Sequence, residues 1–178
     1  EMSAAKRPRR GSLQFYPRKR ASKRLHRVNF SPILDKIKEQ GLLGFIVYKV
    51  GMSTAILKDS TPKIMTSGKQ ISSPVTILEV PGMKIFSVRF YRHNIPIKEI
   101  VVAADKELKR KVKIPKQQKK FEESIPQDYD DIKVIVYSLP KQTSIKKTPD
   151  LIELSVSAKD LSSKLGFIKN LIGKEISL

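Results

Sequence analysis

The stretch PVTILEVPGMKIFSVRFY at residues 74–91 decides the fold that we expect for this chain. Apolar and polar residues alternate from Val75 to Val80 and again from Met83 to Tyr91, which is the period of a half-buried β-strand. Pro81-Gly82 separates the two runs, and such a pair is typical of a tight turn. The pattern predicts two strands joined as an antiparallel hairpin, in a sheet that has one exposed face.

Segments on both sides of this stretch also indicate β-structure. Residues 41–57 are rich in β-branched and aromatic side chains, and Gly51 interrupts them where a strand turns or bulges. Further strands are expected at 96–104, 132–137 and 151–156. Short strands at this spacing predict a mainly β chain built as a small barrel or sandwich.

Helical patterns are clearest in three places, and residues 116–131 are expected to be a loop with some helix. Residues 31–37 could form a short helical turn, and residues 105–112 carry helix formers that end before a proline. The last pattern is the strongest: Ser157 and Asp160 resemble a capping box, and Gly173 stands where a C-cap is expected. Between them, apolar residues repeat at helical spacing at Leu161, Leu165, Ile168 and Ile172.

The N-terminus is a separate, strongly basic segment. Residues 6–27 contain ten Lys or Arg side chains, against the single acid Glu1. Pro8, Gly11 and Pro17 prevent a continuous helix, and repulsion between like charges favours an extended arm. A phosphate backbone is the expected partner, because guanidinium groups bind phosphate with paired hydrogen bonds. A nuclear-targeting or solubilising tail is the alternative interpretation.

Composition limits the remaining function classes. The 178 residues have a net charge of +19, and the chain stays basic after the arm is set aside. Without cysteine it has no disulfides and no thiolate metal sites. No apolar run approaches the ~20 residues of a membrane span. We therefore expect a soluble, intracellular protein that binds nucleic acid.

Catalytic chemistry has little support in this sequence. The two histidines, His26 and His93, are far apart, and each is better explained by contact with solvent or phosphate. Phosphate-binding loops, dinucleotide fingerprints and nucleophile elbows are missing from the sequence. We expect neither an enzyme nor a cofactor or metal site.

Several motifs nevertheless have a specific pattern. RPRRGSL at 7–13, PRKRA at 17–21, LGF at 43–45 and YKVGMS at 48–53 resemble the opening of the ribosomal protein L3 family in its archaeal and eukaryotic form. Three further matches follow in the order of the family: LPK at 139–141, IKKTP at 145–149 and GKEIS at 173–177. The residues 74–83 also match, except that the family usually has proline in place of Gly82. The chain resembles the archaeal type in particular, because eukaryotic members usually carry histidine where Arg10 stands.

The resemblance implies a mainly β fold with an α+β insertion: a partial six-stranded translation-protein-type β-barrel, an inserted α+β subdomain and an extended basic N-terminal arm. Residues 1–30 would be the arm, 31–97 the first strands of the barrel, and 98–178 the inserted subdomain with its return toward the barrel. Since the match covers only the first half of the family, a second chain carrying the C-terminal half is an expected partner; a fragment of a longer chain is the alternative.

The implied function is that of a structural constituent of the large ribosomal subunit, located in the cytoplasm. It would bind large-subunit rRNA, contact neighbouring ribosomal proteins and support assembly near the peptidyl transferase centre. A DNA-binding or DNA-compacting protein is the alternative, since it would explain the charge equally well. Phe15 and Tyr16 could stack on unpaired bases, whereas the basic residues would bind phosphates. The predicted RNA contacts are Arg7, Arg9, Arg10, Phe15, Tyr16, Arg18, Lys19, Arg20, Lys23, Arg24, Arg27, Lys49, Lys84 and Arg89.

Overall fold

The chain is mainly β, as the sequence predicts. The computed structural model describes residues 21–178, except positions 22, 24, 27, 35, 38, 104 and 116–120. Its strands are β1 (Gly41–Leu42), β2 (Tyr48–Lys58), β3 (Gln70–Glu79), β4 (Met83–Arg92), β5 (Ile95–Val101), β6 (Asp131–Ser138) and β7 (Leu151–Ser157). Its α-helices are α1 (Ser31–Leu34) and α2 (Leu161–Leu171), and single 3-10 turns lie at Leu108–Arg110 and Glu122–Ser124. The helix predicted at 105–112 is therefore only one 3-10 turn.

Five of the strands form one antiparallel sheet in the order β1-β7-β6-β4-β5. The register aligns Ile100, Val88, Val134 and Leu154 on four neighbouring strands. All four side chains are at most 4% exposed, so they form a continuous apolar row across the sheet. Burying this row stabilises the sheet, because each such side chain contributes about 1.5–3 kcal/mol when removed from water.

β2 and β3 form a separate two-stranded ribbon. The hairpin predicted at 74–91 is therefore wrong: β3 pairs with β2, whereas β4 pairs with β5 and β6. A strand has two edges, and from Ser87 onward both edges of β4 are already hydrogen-bonded. Pro81-Gly82 thus connects two sheets instead of closing a turn. The predicted irregularity at Gly51 is confirmed, because the β2–β3 register shifts between Lys49 and Gly51.

β4 is buried on both faces, in contrast to the single buried face that its alternation predicts. Phe86, Ser87 and Val88 are 5%, 0% and 0% exposed although they are consecutive. Val88 belongs to the larger core cluster, to which α2 contributes Ile168. Phe86 belongs to a second cluster with Leu108, Tyr137 and Leu139 on the opposite face. Loop residues cover the second face, and strand periodicity carries no information about them.

Helix α2 has the predicted end but not the predicted start. Asp160 is its N-cap, and Ser157 still belongs to β7, where its Oγ donates a hydrogen bond to the carbonyl of Ile37 over 3.2 Å. The predicted capping box is therefore wrong. Gly173 follows the C-cap residue with φ +79°, the left-handed conformation that glycine adopts at little cost.

None of the helices in the described part of the chain is long and apolar enough to span a membrane.

Candidate nucleic-acid interface

Most of the predicted RNA contacts in the arm lie outside the described residues. They are Arg7, Arg9, Arg10, Phe15, Tyr16, Arg18, Lys19, Arg20, Arg24 and Arg27. Lys23 is the one arm contact that the structure describes, and its side chain is exposed. The arm contacts stay predictions.

In the folded body, Lys49, Lys84 and Arg89 differ in exposure and in their carboxylate partners. Lys49 is exposed on β2, next to the register shift at Gly51. Lys84 is half-buried on β4, and its Nζ lies 3.8 Å from Asp105 Oδ2. An exposed lysine can turn toward a phosphate at little cost, whereas a lysine beside a carboxylate first has to leave that carboxylate. Of these two residues, Lys49 is the better placed to bind RNA.

Arg89 is committed to carboxylates within the sheet. Its Nε and Nη2 donate to Glu99 Oε2 over 3.2 and 2.7 Å, and its Nη1 donates to Glu153 Oε1 over 3.1 Å. Burial alone would raise the pKa of Glu99, but hydrogen bonds from Arg89 and Ser87 outweigh it and lower that pKa. The guanidinium thus links β4 to β5 and, across β6, to β7. Its prediction as an RNA contact stays untested, but we leave Arg89 out of the interface that we propose.

Tyr91 extends this polar network on the same face of the sheet. Its hydroxyl donates to Glu153, and the ammonium of Lys133 lies 4.6 Å from the centre of its ring. Burial and the adjacent Glu153 carboxylate raise the pKa of Tyr91. Arg89, Tyr91 and the two glutamates therefore bind one another, which makes this face a structural layer.

A second network surrounds Asp150, which immediately precedes β7. The Oη of Tyr48 lies 2.8 Å from Asp150 Oδ2 and 2.8 Å from Ser138 Oγ. Lys111 Nζ donates to the other carboxylate oxygen over 3.1 Å, and Lys146 also donates to Asp150. Burial raises the pKa of Tyr48 to about 12, and Asp150 adds to this rise. One buried carboxylate therefore ties the start of the β2–β3 ribbon to the loops around residues 111 and 146.

Sequence reasoning missed the importance of these loops. Residues 105–113 and 140–149 are both basic, but more than two dozen positions separate them, and residues 105–112 were predicted only as a helix. The available signal was the concentration of lysine between Pro140 and Pro149, followed at once by an acid. Only the fold brings the two segments together.

Within the described residues, no group of three or more His, Cys, Asp or Glu side chains could hold a metal ion. His93 is exposed, and its Nδ1 lies 3.4 Å from Asp130 Oδ2. A single exposed pair of this kind contributes little to stability.

Comparison with known proteins gives a consistent result. The family model described as "Ribosomal protein L3" matches residues 2–178. The chain is 37% identical to the large ribosomal subunit protein uL3 of Methanocaldococcus jannaschii, over 97% of this chain and 54% of that protein. It is 36% identical to the uL3 of Methanobrevibacter smithii, over 95% and 53%, and 35% identical to that of Nanoarchaeum equitans, over 96% and 53%.

These relatives are archaeal, which confirms the predicted archaeal type. The chain spans about half the length of the curated relatives that it matches. The family model nevertheless covers the chain almost from end to end. The chain therefore belongs to the ribosomal protein L3 family.

Proposed function

We propose that the chain is a structural constituent of the large ribosomal subunit that binds rRNA and supports subunit assembly. The observation that carries this proposal is the family match over residues 2–178 in a chain of net charge +19. Such a charge suits a partner whose backbone is a polyanion. In this function the chain acts in the cytoplasm by binding and positioning, without catalysis.

The arm, residues 1–30, supplies the main electrostatic contact in this proposal. Its guanidinium and ammonium groups neutralise phosphates while it threads between RNA helices, and Phe15 and Tyr16 stack on unpaired bases. If about six phosphates are neutralised, the logarithm of the binding constant falls with the logarithm of salt concentration with a slope of about −4 to −5. The folded body sets the direction in which the arm leaves, and Lys49 adds a contact on β2.

The β2–β3 ribbon belongs, in our proposal, to a six-stranded barrel that the described residues contain only in part. Many of its large apolar side chains are exposed: Val50, Met52, Ile56, Leu57, Ile77 and Leu78. A two-stranded ribbon is barely stable in water on its own, and an apolar surface of this kind marks a contact region. We propose that residues 31–97 supply the first strands of the barrel and residues 98–178 an α+β insertion. The half of the family that this chain does not match, in the same polypeptide or in a second chain, then covers the ribbon.

We further propose that the chain lies near the peptidyl transferase centre and contacts neighbouring ribosomal proteins. The support is the membership of the family, whose archaeal members named above are large-subunit proteins by name. No residue of this chain is assigned a role in peptide-bond formation.

Filter binding tests the RNA-binding proposal. The full chain is titrated against transcribed archaeal large-subunit rRNA and against duplex DNA of equal length, at salt concentrations from 50 mM to 1 M. We expect tighter binding to the rRNA and a steep salt dependence. Equal affinity for the duplex DNA would favour the DNA-compacting alternative, and binding that hardly changes with salt would contradict the phosphate contacts.

A further inference from the structure

Two basic loops meet at one end of the five-stranded sheet and form a cleft. The first follows β5 and contains the 3-10 turn Leu108–Arg110, and the second connects β6 to β7. The space between them has a volume of about 640 Å³. We call it the basic cleft, and it is lined by Arg110, Lys141, Ser144, Ile145, Lys146 and Lys147.

Both loops are anchored in the same part of the core. Leu108, which is 0% exposed, packs with Phe86 and Tyr137 in the second core cluster. The other loop begins at Leu139, a member of that cluster, and the prolines at both of its ends, Pro140 and Pro149, are buried. The basic side chains therefore project from backbones that the core holds in place.

Ion pairs also connect the two loops directly. Lys141 Nζ lies 2.7 Å from Glu107 Oε1, and Lys111 Nζ lies 3.1 Å from Asp150 Oδ1. Asp150 also accepts a hydrogen bond from Lys146 within the second loop. Each cross-loop pair joins residues more than thirty positions apart, so the pairs hold the two loops together.

The charge of the cleft is not balanced by these carboxylates. Four of the lining residues are cations, Arg110, Lys141, Lys146 and Lys147. Two carboxylates pair with them, Glu107 with Lys141 and Asp150 with Lys146. Arg110 and Lys147 have no carboxylate within 4.0 Å among the described residues, and both are exposed. Unpaired cations held close together repel one another until an anion enters.

We propose that the basic cleft binds the phosphate backbone of ribosomal RNA and forms a second anchor, separate from the arm. This inference rests on the proposed function. Arg110 presents a planar guanidinium that binds a phosphate with two hydrogen bonds, and Lys147 adds a point charge to the same or the next phosphate. The cleft loses little conformational entropy on binding, because its loops are already fixed, whereas an extended arm has to be ordered.

The double variant Arg110→Ala/Lys147→Ala tests the cleft. Neither side chain is buried or paired in the described structure, so the variant should fold. The matched control, Lys98→Ala/Lys159→Ala, removes the same charge from two exposed lysines outside the cleft. Both are titrated, as full chains, against transcribed large-subunit rRNA over a range of salt concentrations, after far-UV circular dichroism has confirmed their folding.

We expect the cleft variant to reduce the logarithmic salt slope by about 2, one unit for each lost phosphate contact. If binding curves converge at 1 M salt, such a slope change corresponds to about 100-fold weaker binding at 0.1 M. The control should keep the slope of the unmodified chain. A second readout needs no variant: bound rRNA should protect Lys147 from acetylation and leave Lys159 reactive.

The outcomes separate the cleft from the general proposal. Suppose that the unmodified chain prefers rRNA. If the cleft variant then has the same salt slope as the control and the unmodified chain, or if Lys147 stays reactive in the complex, the cleft proposal is wrong and the ribosomal role stands. If the unmodified chain itself shows no preference for rRNA over duplex DNA, the proposed function is wrong and the RNA anchor is wrong with it.

Discussion

Replacing Asp150 by asparagine tests the network that ties the ribbon to the basic loops. The Asp150 side chain is 8% exposed, and it accepts hydrogen bonds from Tyr48, Lys111 and Lys146. Asparagine has almost the same shape, but it removes the charge and turns one acceptor into a donor. At least one ammonium then faces an amide NH₂ group instead of a carboxylate oxygen.

The expected loss in the free energy of unfolding is about 2 kcal/mol. A hydrogen bond to a charged group contributes about 1.5–3 kcal/mol, and two such bonds are weakened. The side chains of Lys111 and Lys146 are 42% and 25% exposed, so water compensates part of the loss. For a chain of this length, 2 kcal/mol corresponds to a decrease of about 4–8 °C in Tm.

The pH dependence follows from the pKa of Asp150. Burial would raise this pKa, but hydrogen bonds from Lys146, Tyr48 and Lys111 together lower it below its ordinary value of 3.8. A lowered pKa in the folded state means that the carboxylate stabilises the fold fully above 3.8, and that this contribution is lost as the pH falls through the folded-state value. The Tm difference between the unmodified chain and the Asp150→Asn variant should therefore become smaller once the pH falls below the folded-state pKa of Asp150.

Thermal unfolding followed by circular dichroism, from pH 7 downward, measures this difference. The matched control is Asp128→Asn, because Asp128 is 69% exposed and pairs with Arg92 at the surface. We expect the control to change the free energy of unfolding by less than about 1 kcal/mol. Equal Tm values for the Asp150 variant and the control at pH 7 would refute the role of the network. If the Tm difference persists at low pH, the loss of stability comes from altered packing and not from the lost charge.

Three further predictions follow. Arg89→Lys should lower the free energy of unfolding by about 1–2 kcal/mol, because a lysine ammonium cannot bind Glu99 and Glu153 at the same time. The salt slope of rRNA binding should stay unchanged, and a reduced slope would make Arg89 an RNA contact. The side chain of Ile56 is 73% exposed, so Ile56→Lys should change the free energy of unfolding by less than about 0.5 kcal/mol. It should reduce incorporation of the chain into large subunits, measured by sedimentation, and normal incorporation would mean that the ribbon stays uncovered. Removal of residues 1–27 should flatten the salt slope by about 4 while the far-UV spectrum keeps its β-sheet signal; a shallower loss would assign most phosphate contacts to the body.

Local patterns predicted the strands but not their partners. The β-branched runs at Ile132 and Leu151 form β6 and β7, because half-buried strands favour such side chains wherever they pair. The pairing of β4 with β6 joins residues far apart in sequence, such as Val88 and Val134, and no local signal encodes it. The alternation around Pro81-Gly82 was consistent with a hairpin. β3 does not pair with β4, because β5 and β6 occupy the two edges of β4.

The same distinction applies to the candidate interface. Net charge and the density of arginine identify a basic N-terminal segment without any fold, and its extended form stays a prediction. The basic cleft required the fold, because Lys111 and Asp150 meet across 39 positions. Arg89 shows the converse case: its sequence context indicates an exposed cation, whereas Glu153, 64 positions away, accepts one of its hydrogen bonds.

Sedimentation of a native cell lysate tests the central claim most directly. Large subunits are isolated on a sucrose gradient, washed with high salt and analysed by quantitative peptide mass spectrometry. The ribosomal proposal predicts peptides of this chain in a 1:1 ratio to other large-subunit proteins, both before and after the wash. Peptides found only with free nucleic acid, or lost completely from washed subunits, would contradict it.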